Sequence, residues 1–202
     1  MEYPLKERIG EPELFTNREK DLAYFLGWAR DIEREAALSN ALISHRKVGK
    51  TTLIMRLYNE LFVRNGKVIP FFFELKEDAR VMDDLSHIYY MSFISQLLSF
   101  KKRQWLGILY LPEEMLRVST ALGLTHVTQD IKQWQGLVEV GSGVLWDFAR
   151  EAPHRLAELT GDRFLVIIDE FQYFNQYIYR QWPATPENQA TTFAGNYLVL
   201  QR

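Results

Sequence analysis

Residues Ser44-His45-Arg46-Lys47-Val48-Gly49-Lys50-Thr51 have the types and spacing of a phosphate-binding loop whose first glycine is replaced by serine. The loop motif G-x-x-x-x-G-K-[ST] carries meaning only between a strand and a helix. Here an apolar run, Ala41-Leu42-Ile43, precedes it, and a helix-like stretch, Thr52-Leu53-Ile54-Met55-Arg56-Leu57, follows. Backbone N–H groups of such a turn, together with the partial positive charge of a helix N-terminus, attract polyphosphate. Arg46, Lys47, Val48, Gly49, Lys50, Thr51 and Thr52 are the expected nucleotide-binding residues. Lys50 reaches the β- and γ-phosphates, and the Thr51 hydroxyl holds Mg²⁺. A Gly-Lys-Thr triplet alone also fits an ordinary helix start relaxed by Gly49, so a second half of the site has to decide.

That second half is Phe164-Leu165-Val166-Ile167-Ile168-Asp169-Glu170. Five apolar residues rich in β-branched types read as a strand buried on both faces. Such a strand cannot hold an acid pair in its interior, so Asp169 and Glu170 belong at its C-terminal edge, where open α/β sheets bind ligands. Asp169 is expected to complete the Mg²⁺ shell begun by Thr51. Glu170, with Lys50 the catalytic candidate, is expected to polarise an attacking water.

With both halves in view, the chain resembles the archaeal-type ATPases of the AAA+/STAND region of P-loop proteins. The resemblance rests on Arg46-Lys47-Val48-Gly49-Lys50-Thr51-Thr52-Leu53, on Val166-Ile167-Ile168-Asp169-Glu170-Phe171-Gln172, and on Phe15-Thr16-Asn17-Arg18-Glu19 with Leu22. These stand in the family's order and cover residues 13–75 and about 144–202. The departures are Ser44 for the first glycine and His45 for a proline. Ser44 adds a Cβ at a tight turn, at about 1–2 kcal/mol if φ is positive there, and leaves Gly49, Lys50 and Thr51 untouched.

The resemblance implies a P-loop NTPase fold, a three-layer α/β domain over residues 15–202. It also implies ATP rather than GTP, Mg²⁺ as cofactor, and hydrolysis that drives a conformational switch. It places the Phe15–Glu19 motif beside the nucleotide base. It further implies a strand with a polar phosphate sensor, another strand and a helical lid after the acidic strand; the expectation is therefore a chain truncated before that sensor strand, with an incomplete parallel sheet. Two other readings stay open: a nucleotide-gated scaffold or signalling switch with little hydrolysis, and a truncated inactive relative serving as an interaction module. The partner would be a second copy or a regulatory protein.

Bulk composition sets the frame. The 202 residues suffice for one domain with a substantial core. Apolar content of 47% and charged content of 25% are those of an ordinary globular chain. A net charge of −2 leaves no electrostatic footprint for nucleic acid or an acidic membrane. The absence of cysteine excludes a disulfide scaffold and points to a reducing cytoplasm. No N-terminal signal pattern and no membrane-length apolar run are seen, so a soluble cytoplasmic protein is expected.

The elements that must position the site follow from periodicity. Residues 1–14 read as an extended lead-in. A helix capped by Thr16 or Asn17, with Leu22, Phe25, Leu26 and Ala29 as its stripe, is expected to run to about Ala37. A short strand is placed at 40–44, a helix at 50–64 stopped by Asn65-Gly66, and a strand at 68–75 kept to the sheet edge by Pro70. Residues 85–104 and 113–122 have helical spacing, and 125–143 reads as a hairpin or an irregular loop. The 169 − 50 = 119 positions between Lys50 and Asp169 exceed a minimal crossover, so about 76–143 is taken as a helical insertion. Helices are expected over 144–159, kinked or restarted at Pro153, and again over 187–202.

Secondary signals have plain structural readings. Phe171, Phe174, Ile178 and Trp182 fall on one helical face and are expected to pack. Lys101-Lys102-Arg103 suits a helix C-terminus. His45, His87, His126 and His154 show no metal-ligand spacing, and Arg46 is the arginine nearest the expected nucleotide.

Overall fold

The computed structural model describes residues 3–8, 15–43, 45, 48–140 and 144–190. It is mixed α/β, with a small parallel sheet set among helices. Helix α1 (Glu19–Glu33) begins from Arg18 without a side-chain cap. Asn17 has a left-handed backbone, φ 63°, which departs from the extended geometry of a capping residue. The helix ends short of Ala37 because Glu35 turns to φ 59° and the Ala36 N–H folds back to the Asp31 carbonyl. Helix α2 (Lys50–Arg64) starts from Gly49 at φ 78° and closes on Asn65 in the left-handed conformation, as the sequence predicts.

Strands β1 (Val68–Glu74) and β3 (Arg163–Asp169) pair in parallel, with Val68 opposite Arg163 and Glu74 opposite Asp169. A second, two-residue parallel pair joins β2 (Arg80–Val81) to β4 (Ile178–Tyr179). The expected strand at 40–44 is not formed over residues 40–43, where Ile43 is 90% exposed; Ser44 lies outside the described residues. Strands are stabilised by cross-strand pairs, and residues 40–43 make none with β1 or β3.

The middle of the chain supplies α3 (Met82–Lys102), α4 (Pro112–Ala121) and α5 (Thr125–Val140). The last corrects the expected hairpin or loop. Val127, Ile131 and Trp134 are buried at i, i+4 and i+7, and this helical stripe outweighs the β-branched composition. Residues 141–143 lie outside the described part. Helix α6 (Leu145–Thr160) runs unbroken through Pro153, which is buried with Trp146, Ala149, Ala152 and Leu156. Packing of that face offsets the proline's lost donor.

After β3 the chain does not form one helical face. It makes a 3-10 turn (Phe171–Tyr173), a single-turn helix α7 (Phe174–Tyr177) and then β4. Phe174 and Ile178 are buried, whereas Trp182 is 55% exposed. Of the helix expected over 187–202, residues 187–190 are not α-helical: a 3-10 turn (Pro186–Asn188) stands there, and the Ala190 N–H donates to the Ile178 carbonyl at 2.8 Å. Residues 191–202 lie outside the described part.

The core is aromatic and lies between the sheet, α3 and α6. Phe71 and Phe73 of β1 meet Tyr89 edge-on at 5.1 and 5.0 Å, and Trp146 joins Tyr89 at 5.5 Å. Helix α3 also closes the outer edge of β1. The Gln96 side chain accepts from the Phe72 N–H at 2.9 Å and donates to the Phe72 carbonyl at 2.8 Å, standing in for a strand. Pro70, two residues earlier, puts its missing N–H on that same edge.

Residues 3–8 of the lead-in are docked against α2. The Arg56 guanidinium of α2 grips the buried Glu7 carboxylate at 2.6 and 2.8 Å and lies over the rings of Phe15 and Tyr3. Asn59 clamps the Leu5 backbone on both its N–H and its carbonyl. Burial and the Glu60 carboxylate raise the Tyr3 phenol to about 12.

Candidate functional site

The site forms where α2 begins and β3 ends. Asp169 is the last residue of β3 and only 2% exposed. The Thr51 hydroxyl donates to Asp169 Oδ2 at 2.6 Å, while Lys50 Nζ stands 3.9 Å from Oδ1. Oδ1 also accepts from the Glu170 N–H at 3.0 Å. Lys50, Thr51 and Asp169, chosen from sequence as two separate halves, are thus brought into direct contact across 118 positions.

Local geometry explains the arrangement. Gly49 adopts φ 78° and its carbonyl accepts from Leu53 N–H at 3.0 Å, so the first turn of α2 begins at once after the glycine. A Cβ on Gly49 would meet nothing within 4 Å; the residue is required for its backbone conformation. On the opposite side, β3 alternates in burial, with Leu165, Ile167 and Asp169 inward and Val166 and Ile168 half-buried. This corrects the expectation of a strand sealed on both faces. The Asp169 carboxylate falls on the buried face, and Thr51 and Lys50 reach it there.

The remaining candidates divide. Glu170 follows at φ 55°, half-buried, and its carboxylate accepts from the Gln172 amide. Thr52 is buried beneath the turn, whereas Val48 is 44% exposed on the loop. Arg46 and Lys47 lie outside the described residues, and His45 is exposed.

Beside these groups opens a cavity of about 450 Å³. It is lined by β3 from Leu165 to Asp169 and by residues 40–43, and Phe25, Trp28 and Ile54 supply further apolar lining. Lys50, Asp169 and Glu170 are its charged groups. Among the described residues, β3 has β1 as its one strand neighbour.

No protein-family model, curated protein or solved structure matches this chain.

Among the described residues no group of three or more His, Asp or Glu is gathered for a metal. Mg²⁺ does not need one, since it takes hard oxygen donors and keeps several waters beside one or two protein ligands and substrate phosphates. Thr51 Oγ1 and Asp169 Oδ2 are two such oxygens, and they already converge.

One group was not singled out in the sequence. Glu74 ends β1 directly opposite Asp169 and pairs with Arg8; its place at a strand terminus was the available signal. Arg18, named in the sequence through the Phe15–Glu19 motif, donates to the Val48 carbonyl at 2.9 Å. Nothing in residue spacing marks that contact, because a backbone carbonyl is the acceptor.

Among the described residues no helix is long and apolar enough to cross a membrane.

Proposed function

We propose that this chain binds Mg–ATP between the N-terminus of α2 and the C-terminal end of β3, as a P-loop ATPase of AAA+/STAND type. In this reading the protein turns over ATP to drive a conformational switch. The observation that carries the proposal is the 2.6 Å contact of Thr51 Oγ1 with Asp169 Oδ2, with Lys50 Nζ at 3.9 Å from the other carboxylate oxygen. Lys50 and the loop amides hold the phosphates. Thr51 and Asp169 would hold Mg²⁺, which when bound offsets phosphate charge. Preference for ATP follows from the resemblance of the loop, the acidic strand and the Phe15–Glu19 motif. The cysteine-free composition supports a reducing, cytoplasmic setting.

Glu170 decides between two outcomes. As a general base it would orient and deprotonate water. Its carboxylate is engaged by Gln172, which favours the second reading, a nucleotide-gated switch that hydrolyses little. Glu170→Gln tests this directly. For an ATPase, single-turnover hydrolysis falls by about 10²–10⁴-fold while Mg–ATP affinity is retained. Equal hydrolysis in both proteins removes Glu170 from the role of base.

A further inference from the structure

We infer that Arg18 is a positioning residue for bound phosphate, acting through the Val48–Gly49 peptide group; the inference rests on the reading of residues 44–51 as a phosphate loop. Arg18 stands at the head of α1, 30 positions before Val48. Its Nη2 donates to the Val48 carbonyl at 2.9 Å, and its Nη1 donates to Asp21 Oδ2 at 3.1 Å. The second bond ties the guanidinium to the first turn of α1, so the carbonyl is held by a group that is itself anchored.

A trans peptide is planar, and its C=O and N–H point in opposite directions. Holding the Val48 carbonyl therefore sets the direction of the Gly49 N–H, away from Arg18. Gly49 tolerates many backbone conformations, and its peptide plane needs fixing from both sides. The helix does this downstream, where the Gly49 carbonyl accepts from Leu53. Arg18 does it upstream. Backbone N–H groups recognise phosphate only when they are already aimed, so Arg18 sharpens binding without touching the ligand.

The ligand class follows from this mechanism. Any oligophosphate is affected equally, with or without a base, whereas a guanidinium packed on the base would serve nucleotides alone. The test titrates Mg–ATP and Mg–tripolyphosphate into the whole chain as wild type, Arg18→Ala, Arg18→Lys and Lys50→Ala. The Gly49 amide resonance is followed by NMR, and circular dichroism confirms folding. Arg18→Ala is expected to weaken both ligands by about tenfold, the loss of one charged hydrogen bond. It also shifts the Gly49 amide in the ligand-free protein, and Arg18→Lys, which keeps a cationic donor, recovers most of the affinity. A loss confined to Mg–ATP, or an unmoved Gly49 amide, overturns the inference. If Lys50→Ala abolishes binding while Arg18→Ala leaves it intact, this inference alone fails. If wild type binds neither ligand, the phosphate-loop reading fails and the inference with it.

Discussion

The two edges of the β1–β3 sheet are built on opposite terms. At the β1 edge, Pro70 removes a donor, Gln96 takes both polar groups of Phe72, and α3 covers the strand with Tyr89 and Phe93. At the β3 edge, half-buried Val166 and Ile168 line a cavity of about 450 Å³ that is also lined by Ile43, 90% exposed. One edge is closed by side chains and the other is open beside the only lysine that contacts Asp169 among the described residues. Aromatic packing is concentrated on the side away from the candidate site. The candidate site sits beside the less covered edge of the sheet, as binding sites on rigid scaffolds commonly do.

Substitutions on the two sides should therefore behave differently. The largest contrast is between Phe71→Ala and Ile43→Ala. Phe71 is 1% exposed and meets Phe73, Tyr89 and Phe93; its truncation should cost about 3–5 kcal/mol in denaturant unfolding. Ile43→Ala should change stability by no more than about 0.5 kcal/mol. Similar losses at both positions would erase the distinction.

A smaller effect is expected from Gln96→Leu. Removing the amide orphans the buried N–H and carbonyl of Phe72, which should lower stability by about 1–3 kcal/mol. A neutral result would mean that α3 closes the β1 edge by packing alone.

The smallest effect concerns pH. Burial holds the His87 imidazole below its usual range, with the Asp84 carboxylate opposing more weakly. The fold therefore favours neutral imidazole, and the unfolded chain binds the extra proton as pH falls below about 6.5. Stability should decline with acidification through that window and be unaffected above it. His87→Gln should flatten this part of the profile, and an unchanged slope would assign the decline to other groups.

The contrast also explains what could be read from the sequence. Helix α2 was legible because Gly49 and Asn65 mark its ends with residues suited to positive φ. The parallel strands were legible because 68–74 and 163–169 are apolar runs ending in acids. Segment 40–43 misled because three apolar residues before a glycine-lysine pair imitate a strand, and pairing partners cannot be seen in one chain's sequence. Helix α5 was hidden by its valines and threonines, and the stacking of Trp134 on Tyr90 at 4.3 Å that anchors it is a long-range contact. For the site, Lys50, Thr51 and Asp169 were identified by type and meet in space. Long-range partners were not visible in the same way: the Glu7–Arg56 pair and the Arg18–Val48 contact depend on how the lead-in and α1 return to α2.

The central claim is that Lys50, Thr51 and Asp169 make one Mg–nucleotide site. Titration calorimetry of ATP, with and without Mg²⁺, into the whole chain and into its Lys50→Ala variant tests it most directly. Saturable binding is expected that requires Mg²⁺ and disappears in Lys50→Ala while the variant remains folded. Heats that are the same for wild type and variant, or binding indifferent to Mg²⁺, would contradict it.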